Sequence, residues 1–272
     1  MLDPSHSNRN SLPTPLSNVY KELMAPRTRH LFDPTVDTPF RLSRSKIDLA
    51  LKCQRCFYLD RRLGVSQPSS PPFSLNSAVD ELLKREFDLC RESQTTHPLM
   101  KSVGLDAVPF KHEKMDEWRD ALRRGVTYAL PRTNLVVTGG IDDLWVNKKG
   151  ELYVVDYKAT SKNGEVSLDA DWQISYKRQV EIYQWLFRMN GFSVSDTAYF
   201  VYCNGDKERP SFDARLDFSI KVLPYNGNTD WVEPALRDIF ELLKSPKLPA
   251  PAEKCEHCAY REKASAVESW RG

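Results

Sequence analysis

The spacing of hydrophobic positions changes along the chain, and each change predicts an element. From about Ser43 to Leu63 apolar residues recur at helical spacing, with Ser43 or Ser45 as the cap and Gly64 just past the end. Gln67 to Pro72 is a Pro- and Ser-rich loop, and a long helix is predicted from about Leu75. A polar connection runs from about Thr95 to Pro109, and a further helix from about Lys114 to Tyr128. The pattern then shortens. Leu135 to Val146 and Glu151 to Lys158 are rich in β-branched residues and read as strands. Trp172 to Met189 returns to helical spacing, with Val180, Tyr183 and Phe187 as its apolar stripe and Asn190-Gly191 as a C-cap. Asp196 to Cys203 and Phe212 to Leu223 read as strands, and Trp231 to Leu243 as a helix. Together these predict one α/β domain over residues 40–264, a central mixed sheet flanked by helices. Residues 1–39, rich in Ser, Pro, Asn and Thr, predict a disordered or extended tail, and residues 265–272 a short C-terminal one.

The connection between the first two strands carries the most information. Asn147-Lys148-Lys149-Gly150 is a turn signal with glycine where a left-handed residue is wanted. If Lys148, Lys149 and Gly150 form a three-residue loop, Asn147 pairs with Glu151, and counting back sets Asp142 opposite Asp156 on one face. Lys158, two residues beyond Asp156, shares that face. A two-residue loop would shift the register and part the acids.

Two carboxylates beside one ammonium suit a particular chemistry. A phosphodiester is an anion that repels hydroxide, so its hydrolysis needs charge neutralisation and a nucleophile made from water. Mg²⁺ or Mn²⁺ supplies both and takes hard oxygen ligands such as Asp142 and Asp156. Lys158 would orient the water or stabilise charge developing on phosphorus. The plainer reading makes the acids strand-end surface groups and Lys158 their ion-pair partner. Asp156, however, follows the apolar run Leu152-Tyr153-Val154-Val155, and a carboxylate at the edge of a buried strand is costly unless partnered.

Cysteine supplies a second constellation. Cys53-Gln54-Arg55-Cys56 and Cys255-Glu256-His257-Cys258 are two C-x-x-C pairs, one near each end of the predicted domain. Each can offer two thiolates to one ion, and together they suit a four-thiolate site of the zinc or iron–sulfur kind. Their separation far exceeds that of a zinc ribbon, so the pairs have to meet in space and clasp the end of the chain to its start. Cys90 and Cys203 stand among apolar neighbours and read as buried small hydrophobes.

At these residues the chain resembles a known group. Gly140-Ile141-Asp142, a hairpin, then Val154-Val155-Asp156-Tyr157-Lys158 is similar to the core of the PD-(D/E)XK nuclease superfamily, in its RecB-type branch. That resemblance implies a restriction-endonuclease-like core, with the carbonyl of Tyr157 joining the metal ligands. The branch typically adds a helix bearing Gln-x-x-x-Tyr, matched by Gln179 and Tyr183, which would help to hold the DNA or the active-site lysine. An i, i+4 spacing puts both on one helix face, where Tyr183 fits the core and Gln179 wants a polar partner. An upstream acid or histidine usually completes the metal site. Asp80 stands where many relatives have histidine, and its plainer role is pairing with Lys84 on a solvated face; Glu81 and Glu86 carry only the plainer role.

Cys53 to Leu59 resembles the Cys-Pro-Arg-Lys-Phe-Tyr-Leu phrase that opens many RecB-type domains, and Cys255 to Glu262 resembles their C-terminal cysteine cluster. Iron–sulfur members, including CRISPR spacer-acquisition and AddB-like nucleases, generally have one early cysteine and three late ones. Here Ala264 takes the place of the last late cysteine and Cys56 is an extra early one, so a 4Fe-4S cluster and tetrahedral Zn²⁺ both remain open.

Composition narrows the rest. A net charge of +2 does not argue for nucleic acid in bulk, so any phosphate contacts must be local, from Arg55, Arg61 and Arg62 or from Arg119, Arg123 and Arg124. No apolar run reaches the length of a membrane span and no signal peptide opens the chain, which predicts an intracellular, cytoplasmic protein. No P-loop is present, so helicase activity would come from a partner subunit. The expectation is a metal-dependent deoxyribonuclease in DNA repair, recombination or a related pathway. A non-catalytic nucleic-acid-binding or assembly subunit and an RNA-processing hydrolase are the alternatives.

Overall fold

The computed structural model describes residues 26–69 and 74–271. Strand β1 (Phe40–Ser43) leads into helices α1 (Arg44–Lys52) and α2 (Gln54–Arg62), followed by the long helix α3 (Ser74–Ser93). The short helix α4 (Pro98–Ser102), strand β2 (Ala107–Pro109) and short helix α5 (Met115–Arg119) come next. Strands β3 (Val126–Ala129), β4 (Leu135–Gly139), β5 (Asp143–Asn147) and β6 (Leu152–Thr160) precede helix α6 (Ile174–Met189). The chain ends with β7 (Thr197–Gly205), β8 (Phe218–Asn226), α7 (Val232–Lys244) and α8 (Glu256–Arg271).

The strands form two mixed sheets flanked by helices, where the sequence predicts one. β1, β4 and β3 make a three-stranded sheet, and β2, β5, β6, β7 and β8 a five-stranded one in that order. The predicted strand Leu135–Val146 is therefore divided between sheets. Its break is Gly139-Gly140: a Cβ on Gly139 would lie 2.5 Å from the Tyr183 ring, and one on Gly140 would lie 2.3 Å from the Cβ of Ala121. Only glycine allows so close an approach. Past them, the Ile141 N–H leaves the ladder and donates to the Trp118 carbonyl at 3.1 Å. Asp142 thus sits in the joint between β4 and β5.

Helix α6 connects the parallel pair β6 and β7 and touches β3 and β4 as well as β6. Accordingly every residue from Gln179 to Phe187 is buried, not the single stripe that periodicity indicates. β6 is flanked by β5 and β7 within the sheet, and α3 and α6 pack on it, so its apolar run is buried.

Two predicted helices are revised. Ser43–Leu63 breaks at Cys53, whose backbone is extended (φ −158°, ψ 103°) and which becomes the N-cap of α2. Lys114–Tyr128 is helical only through α5. Gly125 turns the chain with φ +74°, and the β-branched Val126 and Thr127 pair with β4 instead. The expected N-terminal tail divides likewise: residues 1–25 lie outside the described residues, whereas Phe32 is buried against Phe40 and Phe240. Of the expected loop, residues 70–72 are outside the described residues. At the other end α8 continues as an exposed helix to Arg271.

Candidate functional site

The β5–β6 turn adopts the three-residue form. Gly150 has φ +77°, and the Asn147 N–H donates to the Glu151 carbonyl at 3.1 Å. Trp145 pairs with Tyr153 and Asp143 with Val155, so the next position out sets Asp142 across from Asp156. Alternation then sorts the side chains. Asp143 and Val155 enter the core, while Asp142, Asp156 and Lys158 face α6 and α3.

Asp156 is fully buried. Its Oδ1 accepts from the Gln179 carboxamide at 2.7 Å, and its Oδ2 meets the Lys158 ammonium with no further hydrogen-bond donor. Burial pushes its pKa up to about 7, with the Asp142 charge adding and Lys158 opposing. Burial alone would lower Lys158, but Asp156 and Asp142 outweigh it and raise its pKa. Lys158 also lies 4.5 Å over the Tyr176 ring, a second hold on the ammonium. Gln179 and Tyr183 share a face as predicted, and the Gln179 amide donates onward to the Tyr183 hydroxyl at 3.4 Å. Arg44, from α1, reaches the Tyr183 phenol and lies within electrostatic range of Asp156.

Asp142 is partly exposed, and its Oδ2 accepts the Tyr157 N–H at 2.9 Å. Asp80 faces the same region from α3. Burial raises its pKa and the charge of Asp142 adds to the effect. Lys84 stands between the two acids, 2.7 Å from Asp80 Oδ2 and 3.5 Å from Asp142 Oδ1. The i, i+4 pair that reads as a solvated helix face is thus turned into the site, whereas Glu81 and Arg85 make the exposed pair expected of them. Glu86 binds His97 at 2.9 Å. In the sequence Lys84 is legible only as the i, i+4 partner of Asp80, and Arg44 carries no signal; packing brings both to the site.

Behind this face lies a network that sequence reasoning also missed. Buried Asp143 accepts from the Tyr157 hydroxyl at 2.8 Å and pairs with Arg91 and Arg119. Arg119 also holds the Asp142 carbonyl at 3.0 Å and both oxygens of Asp88. This corrects one expectation, because Arg119 is spent inside the fold and not on phosphate. Arg61 is likewise paired to buried Asp60 at 3.1 Å, and Arg62 donates to the Phe32 carbonyl. Arg123 stays exposed.

Hard oxygen donors, one of them a buried carboxylate oxygen whose one partner among the described residues is the Lys158 ammonium, fit a Mg²⁺ or Mn²⁺ ion. Asp142, Asp156 and Asp80 would hold it. Among the described residues, however, only the four cysteines bring three or more potential ligand atoms within 4.8 Å of one another. Asp80, Asp142 and Asp156 do not form such a group, and Lys84 stands between two of them.

The cysteine pairs meet as predicted. Cys53 Sγ is 3.8 Å from Cys258 Sγ, and Cys56 Sγ lies 3.6 Å from Cys258 and 3.5 Å from Cys255. Cys53 caps α2, Cys56 lies in its first turn, and Cys255 and Cys258 occupy the start of α8. Two helix N-termini therefore aim N–H groups and positive dipole ends at four sulfurs. Burial raises the Cys53 pKa, but backbone N–H groups of Ala252 and Cys56 overcome that and bring it down to about 7. Burial pushes Cys56 up to about 11 and raises Cys258 too, as expected where one thiolate discourages its neighbours. A cation removes that conflict. Outside the cage, Cys203 is buried and Cys90 only half-buried.

The fold and this paired-acid hairpin define a class: the sequence profile of the PD-(D/E)XK nuclease superfamily matches residues 41–262. The chain belongs to that superfamily. Among solved structures it is similar to the crystal structure of SSO0001, at 14% identity over 84% of this chain and 83% of that one, with a TM-score of 0.38. No curated protein compared with it matches in sequence. Among the described residues no helix is long and apolar enough to cross a membrane.

Proposed function

We propose that this nuclease-superfamily chain hydrolyses DNA phosphodiester bonds with a Mg²⁺ or Mn²⁺ ion held by Asp142, Asp156 and Asp80. The supporting observation is Asp142 across from Asp156 on one hairpin, with Lys158 against Asp156 and Gln179 bonded to it. The ion, when bound, neutralises phosphate charge and lowers the pKa of a bound water. The chain's own residues do the rest. Lys158 orients the attacking water and faces the charge that builds on phosphorus. Gln179 fixes the Asp156 carboxylate, and Tyr176 limits where the ammonium can go. The setting within repair, recombination or a related pathway goes with the same reading, and the cysteine cage holds a structural metal.

Labelled single-stranded DNA, double-stranded DNA and RNA, each with Mn²⁺ or Mg²⁺, test this directly. Wild-type protein cleaves DNA; Asp156→Asn and Lys158→Met abolish cleavage while circular dichroism and melting are preserved. Cleavage surviving in both variants removes the assignment, and cleavage confined to RNA changes the substrate. A second reading, a binding or assembly subunit without catalysis, is favoured by the Lys84 ammonium standing between Asp80 and Asp142. It predicts DNA binding with no cleavage under every metal.

A further inference from the structure

We propose that Cys53, Cys56, Cys255 and Cys258 hold one tetrahedral Zn²⁺ ion, not a multi-iron cluster. The inference is independent of the hydrolase reading, since it concerns how many metal atoms fit among four sulfurs.

The argument is geometric. Zinc–thiolate bonds of about 2.3 Å arranged tetrahedrally put the sulfurs about 3.8 Å apart along every edge. The contacts here are 3.8, 3.6 and 3.5 Å, and all four sulfurs lie within 4.8 Å of one another. In a cubane each thiolate binds a different iron, so four irons and their bridging sulfides stand between the sulfurs. A two-iron cluster would instead draw each C-x-x-C pair onto its own iron and hold the pairs apart. Yet three contacts of 3.5–3.8 Å run from one pair to the other, and no sulfur lies further than 4.8 Å from any of the rest. The pairs interlock around a point, and that point has room for one atom.

The surroundings agree. Cys53, Cys56 and Cys258 are 3–5% exposed and pack against Leu49 and Ala252, so each sulfur is held by two short helix-start segments and close apolar neighbours. A closed four-thiolate shell of this kind is a structural zinc site, with no open position for chemistry. The N–H groups at the two helix starts offset the charge of four thiolates around a divalent ion. The even division of the ligands, two early and two late, gives each segment half of one tetrahedron. The ion joins α2 to α8 and so closes most of the chain into a loop.

Full-length protein, produced with iron and zinc both supplied and purified anaerobically, is assayed for metals and acid-labile sulfide. The expected result is one zinc per chain, no sulfide and a colourless solution. Exchange with Co²⁺ should give the visible ligand-field bands and thiolate charge-transfer band of a tetrahedral tetrathiolate site. Cys258→His should retain one zinc, with altered cobalt bands, because three thiolates and an imidazole also satisfy zinc. Cys90→Ser with Cys203→Ser should leave metal content unchanged. Several irons with matching sulfide in the wild type would overturn the proposal, as would a metal-free protein that melts unchanged after chelation.

Discussion

The Gln179 carboxamide donates a 2.7 Å hydrogen bond to Asp156 Oδ1, joining helix α6 to the acid buried at the edge of the candidate site. It is the only neutral side-chain donor recorded on that carboxylate among the described residues, the other partner being Lys158. Gln179→Met keeps the volume and deletes the donor. The expected outcome is a kcat lower by about ten- to a hundredfold with KM little changed, the usual scale for a residue that orients a ligand. If the side chain acts by positioning Asp156 and not by holding DNA, affinity measured with a non-activating metal should be unaltered. A change confined to KM would place Gln179 on the DNA instead.

Lys84 lies 2.7 Å from Asp80 and 3.5 Å from Asp142, so a cation held by those acids would have to compete with it. Lys84→Met should bind Mn²⁺ more tightly in calorimetry, by roughly three- to tenfold, as expected for removing one unit charge near a partly exposed site. The metal-free variant should melt lower, because two acids then face each other without a counter-ion. Weaker Mn²⁺ binding would mean that Lys84 organises the acids and does not oppose the metal.

Asp143 neutralises Arg91 and Arg119 inside the fold and takes the Tyr157 hydroxyl. Asp143→Ala removes the fully buried counter-charge of two guanidiniums, leaving them only the half-exposed Asp88, and should cost about 3–5 kcal/mol in urea unfolding. Tyr157→Phe removes only one hydrogen bond and should cost about 1–2 kcal/mol. Equal losses in the two variants would show that the ion pairs contribute little beyond the phenol.

Asp60 should contribute to the acid limit of stability. It is fully buried, within 2.6 Å of Lys46 and 3.1 Å of Arg61, and accepts from Ser66 at 2.6 Å. Burial alone would raise its pKa, but these partners outweigh burial and hold it below the ordinary value. A carboxylate depressed on folding contributes stability that is fully present above its unfolded pKa, about 3.9, and lost as pH falls through the folded one. Melting temperature should therefore drop from about pH 4 downward. Asp60→Asn should melt lower at neutral pH and show a shallower acid limb; parallel curves for the two proteins would exclude Asp60 as a source of it.

What the sequence determined is what nearby residues decide. Gly150 in a left-handed conformation sets the hairpin loop, strand alternation converts the loop into a register, and the register brings Asp142 opposite Asp156. The spacing of each C-x-x-C pair is local too, and a shared ligand chemistry implies that the pairs meet. The Gln179–Tyr183 face follows from helical pitch. Tertiary structure decided wherever a segment had two local options. Val126 and Thr127 left a charged, helix-like stretch to pair with β4, and Leu135–Val146 was divided because Tyr183 and Ala121 crowd its glycines. Arg61 and Arg119, surface cations by composition, were drawn to the buried acids Asp60 and Asp143, and Lys84 turned toward Asp142. In each case burial and long-range pairing outweigh the small preferences that a local reading of the chain can detect.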